Sequence, residues 1–244
     1  CQIDLLGYVV EVGPIKFPAK EGHLDMLRQL RDSSELYTLH PEGEEEAKDY
    51  IRKCQKEGDT VGGVVEVRVE NVPFGLGTHA QWDRKLDGRL AQAVMAIQAI
   101  KGVEIGLGFE AARRPGSQVH DPIHFDPSQV NSRTLGFVRA TNHAGGLEAG
   151  MSNAQPIVLR AAMKPISTLA RPLESVNLET KQPETAAYER SDVCAISAAS
   201  VIVENVVAFE IAAALVDKFG GDHIEEIRQR IKLFEQMNRE RLGL

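Results

Sequence analysis

Two stretches of the chain alternate apolar and polar residues with the period of a β-strand. Residues 5–12 are rich in β-branched and aromatic side chains and end at Gly13-Pro14, and residues 61–72 alternate valine with charged residues. Alternation with a period of two, closed by turn residues, predicts strands. Similar patterns predict further strands at 103–110 and 156–163, and two edge strands around 178–181 and 186–188.

A third stretch has the wider spacing of an amphipathic helix. Residues 83–101 place Leu86, Leu90 and Val94 on one face, and Gly102 follows as a stop signal. The charged C-terminal stretch predicts a second helix, exposed to solvent. Strands interleaved with helices of this length indicate a mixed α and β fold.

The most apolar stretch of the chain is residues 192–218, which predict a long helix that is apolar on nearly all sides and must therefore be buried. Ser191 or Asp192 is the expected N-cap. A helix start favours anions, and Arg190 adds donors suited to phosphate or carboxylate. Asp192 would then be a partly desolvated base beside a cation. A capping aspartate next to a surface arginine explains the same residues, so both interpretations stay open.

Two stretches before that helix suit an anionic ligand. Residues 142–153 are rich in glycine, amide and hydroxyl groups, so that backbone can approach a flat or anionic molecule without Cβ hindrance. The strand at 156–163 leads into residues 164–168, where a lysine, a rigid proline and two hydroxyls form either an anion-binding corner or a capped turn. The residues alone do not decide between these two.

Three local motifs allow a chemical interpretation beside a structural one. The glutamates at 44–46 resemble a cation patch, but a solvated first helical turn is simpler. The Gly-Leu-Gly at 75–77 is weak evidence for a phosphate loop, since a tight turn explains it as well. Residues 120–124, His-Asp-Pro-Ile-His, suggest a metal site, yet the proline opposes the helix that would align both histidines. We expect no metal, and a mobile loop over 113–139.

Composition restricts the class of partner. The 244 residues carry a net charge of −7, so bulk charge does not favour nucleic acid. Three separated cysteines without CxxC spacing indicate a reducing compartment, by default the cytoplasm. We expect no membrane partner, because Glu204, Asn205 and Glu210 interrupt the apolar stretch, and no signal peptide. The start at Cys1, directly before a strand, suggests that the sequence begins inside a larger polypeptide.

Taken together, these motifs resemble the chorismate synthase family. The most specific match is residues 190–206, an Arg-Ser-Asp start followed by small and apolar residues and a glutamate. The stretches 75–77, 82–87, 98–104 and 142–150 are also similar to that family. Its two N-terminal signatures, a Gly-Asp-Ser-His-Gly-like loop and a Ser-x-Arg-Glu-like loop, are absent from the sequence. The chain therefore resembles the C-terminal two-thirds or so of the enzyme, as a single domain over 1–244 that is incomplete at its N-terminus.

The resemblance implies a reaction and a set of site residues. The family eliminates phosphate from 5-enolpyruvylshikimate 3-phosphate in a trans-1,4 sense to give chorismate, using reduced FMN, and is associated with NADP. Asp192 matches the catalytic aspartate, whereas none of the seven histidines matches the family's two catalytic histidines. The positions that match flavin contacts are Gln98, Ala99, Ala149, Lys164, Pro165, Ile166, Ser167, Thr168 and Arg190.

The resemblance also implies a fold and an assembly. The family's α+β fold is a sandwich of antiparallel β-sheets around a layer of long helices, usually a homotetramer. The leading hypothesis is thus a chorismate synthase polypeptide. One alternative is a catalytically silent C-terminal fragment that acts as a scaffold or binds flavin weakly, and another is an unrelated anion-binding α+β protein.

Overall fold

The computed structural model describes residues 2–244, which form eleven strands and five α-helices. The strands are β1 (Asp4–Val12), β2 (Ile15–Lys16), β3 (Gly63–Glu70), β4 (Ile100–Ile105), β5 (Ile123–Phe125), β6 (Phe137–Arg139), β7 (Leu147–Glu148), β8 (Met151–Ser152), β9 (Ile157–Met163), β10 (Glu174–Val176) and β11 (Pro183–Thr185). The helices are α1 (Leu24–Asp32), α2 (Glu45–Glu57), α3 (Leu86–Met95), α4 (Ile196–Phe219) and α5 (Ile224–Leu242).

A five-stranded antiparallel sheet, in the order β2-β1-β3-β9-β4, is the centre of the fold. Its register gives the two faces different chemistry. Val9, Val65 and Ala161 lie opposite one another in neighbouring strands and are fully buried. The next residue along each strand points to the other face of the sheet, where Glu66 lies opposite Arg160. Antiparallel strands and packed helices confirm the predicted α+β class.

Helix α4 packs across the valine face of the sheet. It approaches β1 closely at Gly7, where an added Cβ would lie 2.7 Å from the Ser200 carbonyl oxygen. Val203, Val207 and Ile211 on the inner side are buried. Close packing of this helix against the strand therefore depends on the absence of a side chain at Gly7.

The prediction that this helix is buried on all sides is wrong for the described chain. The side of α4 that faces away from the sheet is open, with Phe209 71% and Ile202 49% exposed. No element among residues 2–244 covers it, because the sheet and α3 pack on the inner side only. By length and composition alone α4 could cross a membrane, despite its two glutamates. Glu204 is instead paired with Arg31 of α1, as expected for a core helix.

The predicted N-cap of α4 is also wrong. The helix begins at Ile196, and its N-cap, Ala195, makes no side-chain capping bond. The residues before it run alongside another part of the chain, since the Val61 N–H donates to the Val193 carbonyl over 2.9 Å. Ser191 is therefore held away from the helix start, and its hydroxyl donates to the Thr168 carbonyl at 3.2 Å.

Three other predicted boundaries are corrected by local backbone geometry. Helix α3 covers only part of the predicted 83–101, because the chain turns at Ala99, with φ +70°, and enters β4 at Ile100. Strand β4 ends at Ile105, since Gly106 at φ +59° turns the chain away. The predicted edge strand at 178–181 is the turn of the β10–β11 hairpin, where the Asn177 side chain accepts the backbone N–H groups of residues 179 and 180.

The segment 113–139 has defined secondary structure. Strands β5 and β6 pair as a hairpin, in which Phe125 lies opposite Phe137 with ring centroids 5.3 Å apart. Short 3-10 helices cover Gly108–Arg113, Gly116–Gln118 and Pro127–Gln129. The mobility of this segment stays a prediction.

Candidate active site

Pairing of β4 with β9 brings two of the predicted flavin-contacting segments together. Ile100 lies opposite Met163, so the residues just outside both strands are neighbours. The Lys164 N–H donates to the Ala99 carbonyl at 3.0 Å. Ala99 adopts a left-handed conformation that is strained for a residue with a side chain, and such strain is concentrated at functional sites.

A segment that the sequence reasoning missed joins this pair to the Arg190 stretch. The Thr60 hydroxyl donates to the Ile166 carbonyl at 2.6 Å, and the neighbouring Val61 holds Val193. An added Cβ on Gly62 would lie 2.2 Å from the Met163 carbonyl oxygen, so only glycine fits there. Three glycines within residues 58–63 were the available signal for a close backbone approach.

Residues 98–99, 164–168 and 190–192 thus form one surface region, which we call the Lys164 corner. Its last connection is the hydrogen bond from Ser191 to Thr168. Eight of the nine predicted flavin-contacting positions, together with Asp192, belong to these three segments. Hydrogen bonds to backbone carbonyls, donated by backbone N–H groups and by the hydroxyls of Thr60 and Ser191, hold the segments side by side, whereas the charged side chains extend from the surface.

The charged groups of the Lys164 corner are free to bind a ligand. Lys164, Arg190 and Asp192 are exposed and have no ion-pair partner among residues 2–244, and the Lys164 Nζ contacts only the neighbouring Pro165 carbonyl, at 3.2 Å. Two unpaired cations beside two hydroxyls suit a phosphate. The expectation that Asp192 is partly desolvated is wrong, because Asp192 is exposed. Burial raises the pKa of the nearby Cys194 thiol, which therefore stays protonated at neutral pH.

Ala149 is the predicted flavin contact that the structure places elsewhere. It lies in the turn between β7 and β8 with φ +53°, and the following Gly150 accepts the N–H of Leu86 at the first residue of α3. The Lys164 corner lies beyond the other end of α3. A ten-residue helix is about 15 Å long, so a ligand touching both groups must extend along α3, or two copies of the chain must share it.

The possible metal motif at 120–124 has a structural role. The Asp121 carboxylate is buried and accepts hydrogen bonds from the Thr141 hydroxyl and from the N–H groups of His143 and Ala144, at 2.5, 2.8 and 2.9 Å. Burial raises the pKa of Asp121, but these hydrogen bonds outweigh it and hold the pKa below its usual value. Asp121 therefore anchors the glycine-rich loop. Within residues 2–244, no three His, Cys, Asp or Glu side chains are grouped to hold a metal ion.

Of the glutamates at 44–46, Glu45 and Glu46 are exposed in the first turn of α2, as predicted, whereas Glu44 differs from the prediction. Glu44 is buried rather than solvated, accepts from the Ser34 hydroxyl at 2.5 Å, and pairs with Lys48 at 2.7 Å. Burial raises the pKa of Glu44, whereas the hydrogen bonds from Lys48 and Ser34 lower it, and the net direction is downward. This carboxylate stabilises the start of α2 and is unavailable to an external cation.

Comparison with known proteins identifies relatives over nearly the whole chain. The family model described as chorismate synthase matches residues 1–216. The chorismate synthase of Geobacter metallireducens is 58% identical over 228 residues, which are 93% of this chain and 58% of the relative. That of Desulforamulus reducens is 51% identical over 239 residues, 98% of this chain and 60% of the relative.

A solved structure gives the same result for the fold. A crystal structure of chorismate synthase superimposes with a TM-score of 0.78 at 40% identity, covering 97% of this chain and 63% of that one. The chain thus spans about three fifths of the length of the relatives it matches.

Proposed function

Because the chain belongs to the chorismate synthase family, we propose that it forms the Lys164-corner side of a chorismate synthase active site, in a polypeptide as long as its relatives. The reaction is the trans-1,4 elimination of phosphate from 5-enolpyruvylshikimate 3-phosphate. The observation that carries the proposal is the Lys164 corner itself. Unpaired cations, hydroxyls and one carboxylate come there from three distant parts of the sequence. Hydrogen bonds from backbone N–H groups and from two hydroxyls to backbone carbonyls hold these parts together.

The donor set of the corner fits flavin mononucleotide. The exposed Lys164 and Arg190 are suited to the phosphate of this cofactor, with Ser167 and Thr168 as additional donors. The strained backbone at Ala99 lies directly beside them, where a flat ring could approach main-chain atoms. When bound, reduced FMN supplies electron density during cleavage of the allylic C–O bond.

The side chains have separate roles in this proposal. During the reaction the C6–H bond and the bond between C3 and the phosphate oxygen break, a new double bond forms, and phosphate leaves with the electrons of the C–O bond. The charge of the departing phosphate grows in the transition state and must be stabilised by cations. Because Lys164 and Arg190 hold the cofactor phosphate in this proposal, the rest of a polypeptide as long as the relatives would supply those cations. Asp192 is the base that helps to remove the C6 proton, and its exposed carboxylate has no competing partner among residues 2–244.

The proposal includes the setting of the enzyme. We propose a homotetramer in the cytoplasm, with NADP as an associated nucleotide and no nucleic-acid or membrane partner. An assembly of several copies is one way to bring the Ala149 turn of one chain to the Lys164 corner of another. The family's catalytic histidines have no match in this sequence, so the remaining two fifths of such a protein must supply them.

An anaerobic assay of phosphate release tests the proposal. A polypeptide that contains this chain at the full length of its relatives should release phosphate from 5-enolpyruvylshikimate 3-phosphate only with reduced FMN. The chain of residues 1–244, verified by intact mass, should release none. Turnover by the 244-residue chain would show that the site is complete without further residues. Failure of the full-length protein with reduced FMN would contradict the proposed reaction.

A further inference from the structure

A cavity of about 400 Å³ lies between α5 and the β5–β6 hairpin. Its walls are mainly apolar and include Phe74, Leu135, Phe137 and Leu242. Pockets of this size, with apolar walls and a few polar groups, are typical of small-molecule sites. The cavity contains no residue of the Lys164 corner, and α5 lies beyond residues 1–216, which the family model matches.

The charged residues that line the cavity are two arginines, beside the neutral polar residues Thr134, Asn153 and Asn238. The Arg139 side chain is only 9% exposed; its Nη2 donates to Glu148 at 2.7 Å, and its Nε is buried without a hydrogen-bond partner. Arg241 is exposed at the cavity and has no ion-pair partner among residues 2–244. The lining residues include no aspartate or glutamate. A carboxylate entering this cavity would therefore meet the unpaired guanidinium of Arg241 and the guanidinium of Arg139, whose charge Glu148 already partly balances.

A neighbouring cavity of about 250 Å³ has arginines too, but with different partners. It shares Phe74 and Leu135 with the first, but its arginines already have partners. Arg133 is paired with Glu235 at 2.9 Å, and Arg239 donates to the Val130 carbonyl at 2.7 Å. Of these two cavities, the larger one combines apolar walls with an arginine, Arg241, that has no protein partner among residues 2–244.

We propose that the larger cavity binds a small aromatic carboxylate. The ring packs against Phe74, Leu135 and Phe137, and the carboxylate accepts hydrogen bonds from Arg241 and from the Nη1 of Arg139. Arg139 is nine-tenths buried, so a hydrogen bond to a charged acceptor is shielded from water and strong. This site is independent of the proposed lyase function, because it shares no residue with the Lys164 corner.

Titration calorimetry with three isosteric probes tests the proposal on the 244-residue chain. For 3-phenylpropanoate we expect a Kd on the order of 1 mM, as for other ligands of this size. The uncharged 3-phenylpropanamide should bind at least about tenfold more weakly, and 3-phenylpropylamine should not bind measurably. Equal binding of the acid and the amide, or no binding of the acid, would overturn the proposal.

Variants on α5 localise the site. Arg241→Gln should weaken 3-phenylpropanoate binding about tenfold, and Arg241→Lys should recover most of the loss. The matched control is Arg228→Gln, on the same helix but outside the cavity, which should leave the affinity unchanged. Both positions are exposed, so folding should be retained, and the circular dichroism spectrum checks it. An Arg241→Gln variant that folds and binds 3-phenylpropanoate like the parent would show that the acid binds elsewhere and overturn the assignment.

Discussion

Replacing Glu204 by alanine should weaken the packing of α4 against β1. One carboxylate oxygen, Oε2, accepts the Gly7 N–H and the Arg31 Nη1, both at 2.7 Å. The side chains of Glu204 and Arg31 are largely covered: 22% of the Glu204 side chain and 13% of the Arg31 side chain are exposed. The variant therefore removes a charged acceptor from a backbone donor and from a guanidinium that water reaches poorly.

The loss of unfolding free energy depends on which hydrogen-bond donors lose their acceptor when Glu204 is removed. A hydrogen bond to a charged group contributes about 1.5–3 kcal/mol, and breaking a fully buried pair costs about 3–5 kcal/mol. Arg31 retains Asp32 at 3.0 Å and the Gly7 carbonyl at 3.3 Å, and partial exposure screens its charge, so the lower part of these ranges applies. We expect Glu204→Ala to lower the free energy of unfolding by about 3 kcal/mol. Glu204→Gln should lower it by about half as much, because its amide oxygen can still accept from Gly7.

Urea denaturation followed by far-ultraviolet circular dichroism measures the effect. The control is Asp49→Ala, which removes an exposed ion pair with Arg52 at the same 2.7 Å distance and should change stability by less than about 0.5 kcal/mol. A double-mutant cycle with Arg31→Ala should give a coupling energy of about 1–2 kcal/mol. The reasoning would be refuted if Glu204→Ala were no more destabilising than the Asp49 control.

Four further substitutions test the geometry of the site and its surroundings. Gly62→Ala should lower the free energy of unfolding by about 1–3 kcal/mol and weaken FMN binding, because the added Cβ forces the backbone of the Lys164 corner to move. Urea denaturation and flavin titration measure the two effects. The control in both is Gly43→Ala, where an added Cβ meets nothing closer than 4.0 Å. Ala149→Gly should raise the thermal midpoint, since it removes a left-handed alanine that costs about 1 kcal/mol; an unchanged or lower midpoint would count against strain there. The pKa values of Glu44 and Asp121 are lowered in the folded state, so their stabilisation is present above the unfolded pKa values and is lost as the pH falls below about 4.5. Glu44→Gln and Asp121→Asn should each flatten the acid-side decline of stability in urea titrations at successive pH values, and a decline as steep as in the parent would contradict the assigned pKa direction.

Patterns within one element predicted much of this fold. The alternation of valine with charged residues predicted strand β3, and the period of two determines which of its side chains share a face. Likewise, the spacing of Leu86, Leu90 and Val94 identified the buried side of α3. The resemblance identified the segments of the Lys164 corner before their proximity was known.

Features that depend on distant contacts could not be read from the local pattern. The cap of α4 is missing because the Val61 N–H holds the Val193 carbonyl, a contact between residues far apart in the sequence. Thr60 and Gly62 were overlooked for the same reason. The exposed outer side of α4 could not be predicted for another reason. A helix that is apolar on all sides indicates that burial is favourable, but it does not indicate which part of which chain packs on each side.

The role of Asp192 is the most direct test of the proposed chemistry. In a polypeptide at the full length of the relatives, Asp192→Ala should lower kcat for phosphate release about a hundredfold or more, while the Kd for reduced FMN stays nearly unchanged. Asp222→Ala, another exposed aspartate outside the Lys164 corner, serves as the control. A kcat equal to that of the parent enzyme would remove Asp192 from the mechanism and contradict the assignment of the Lys164 corner as the active site.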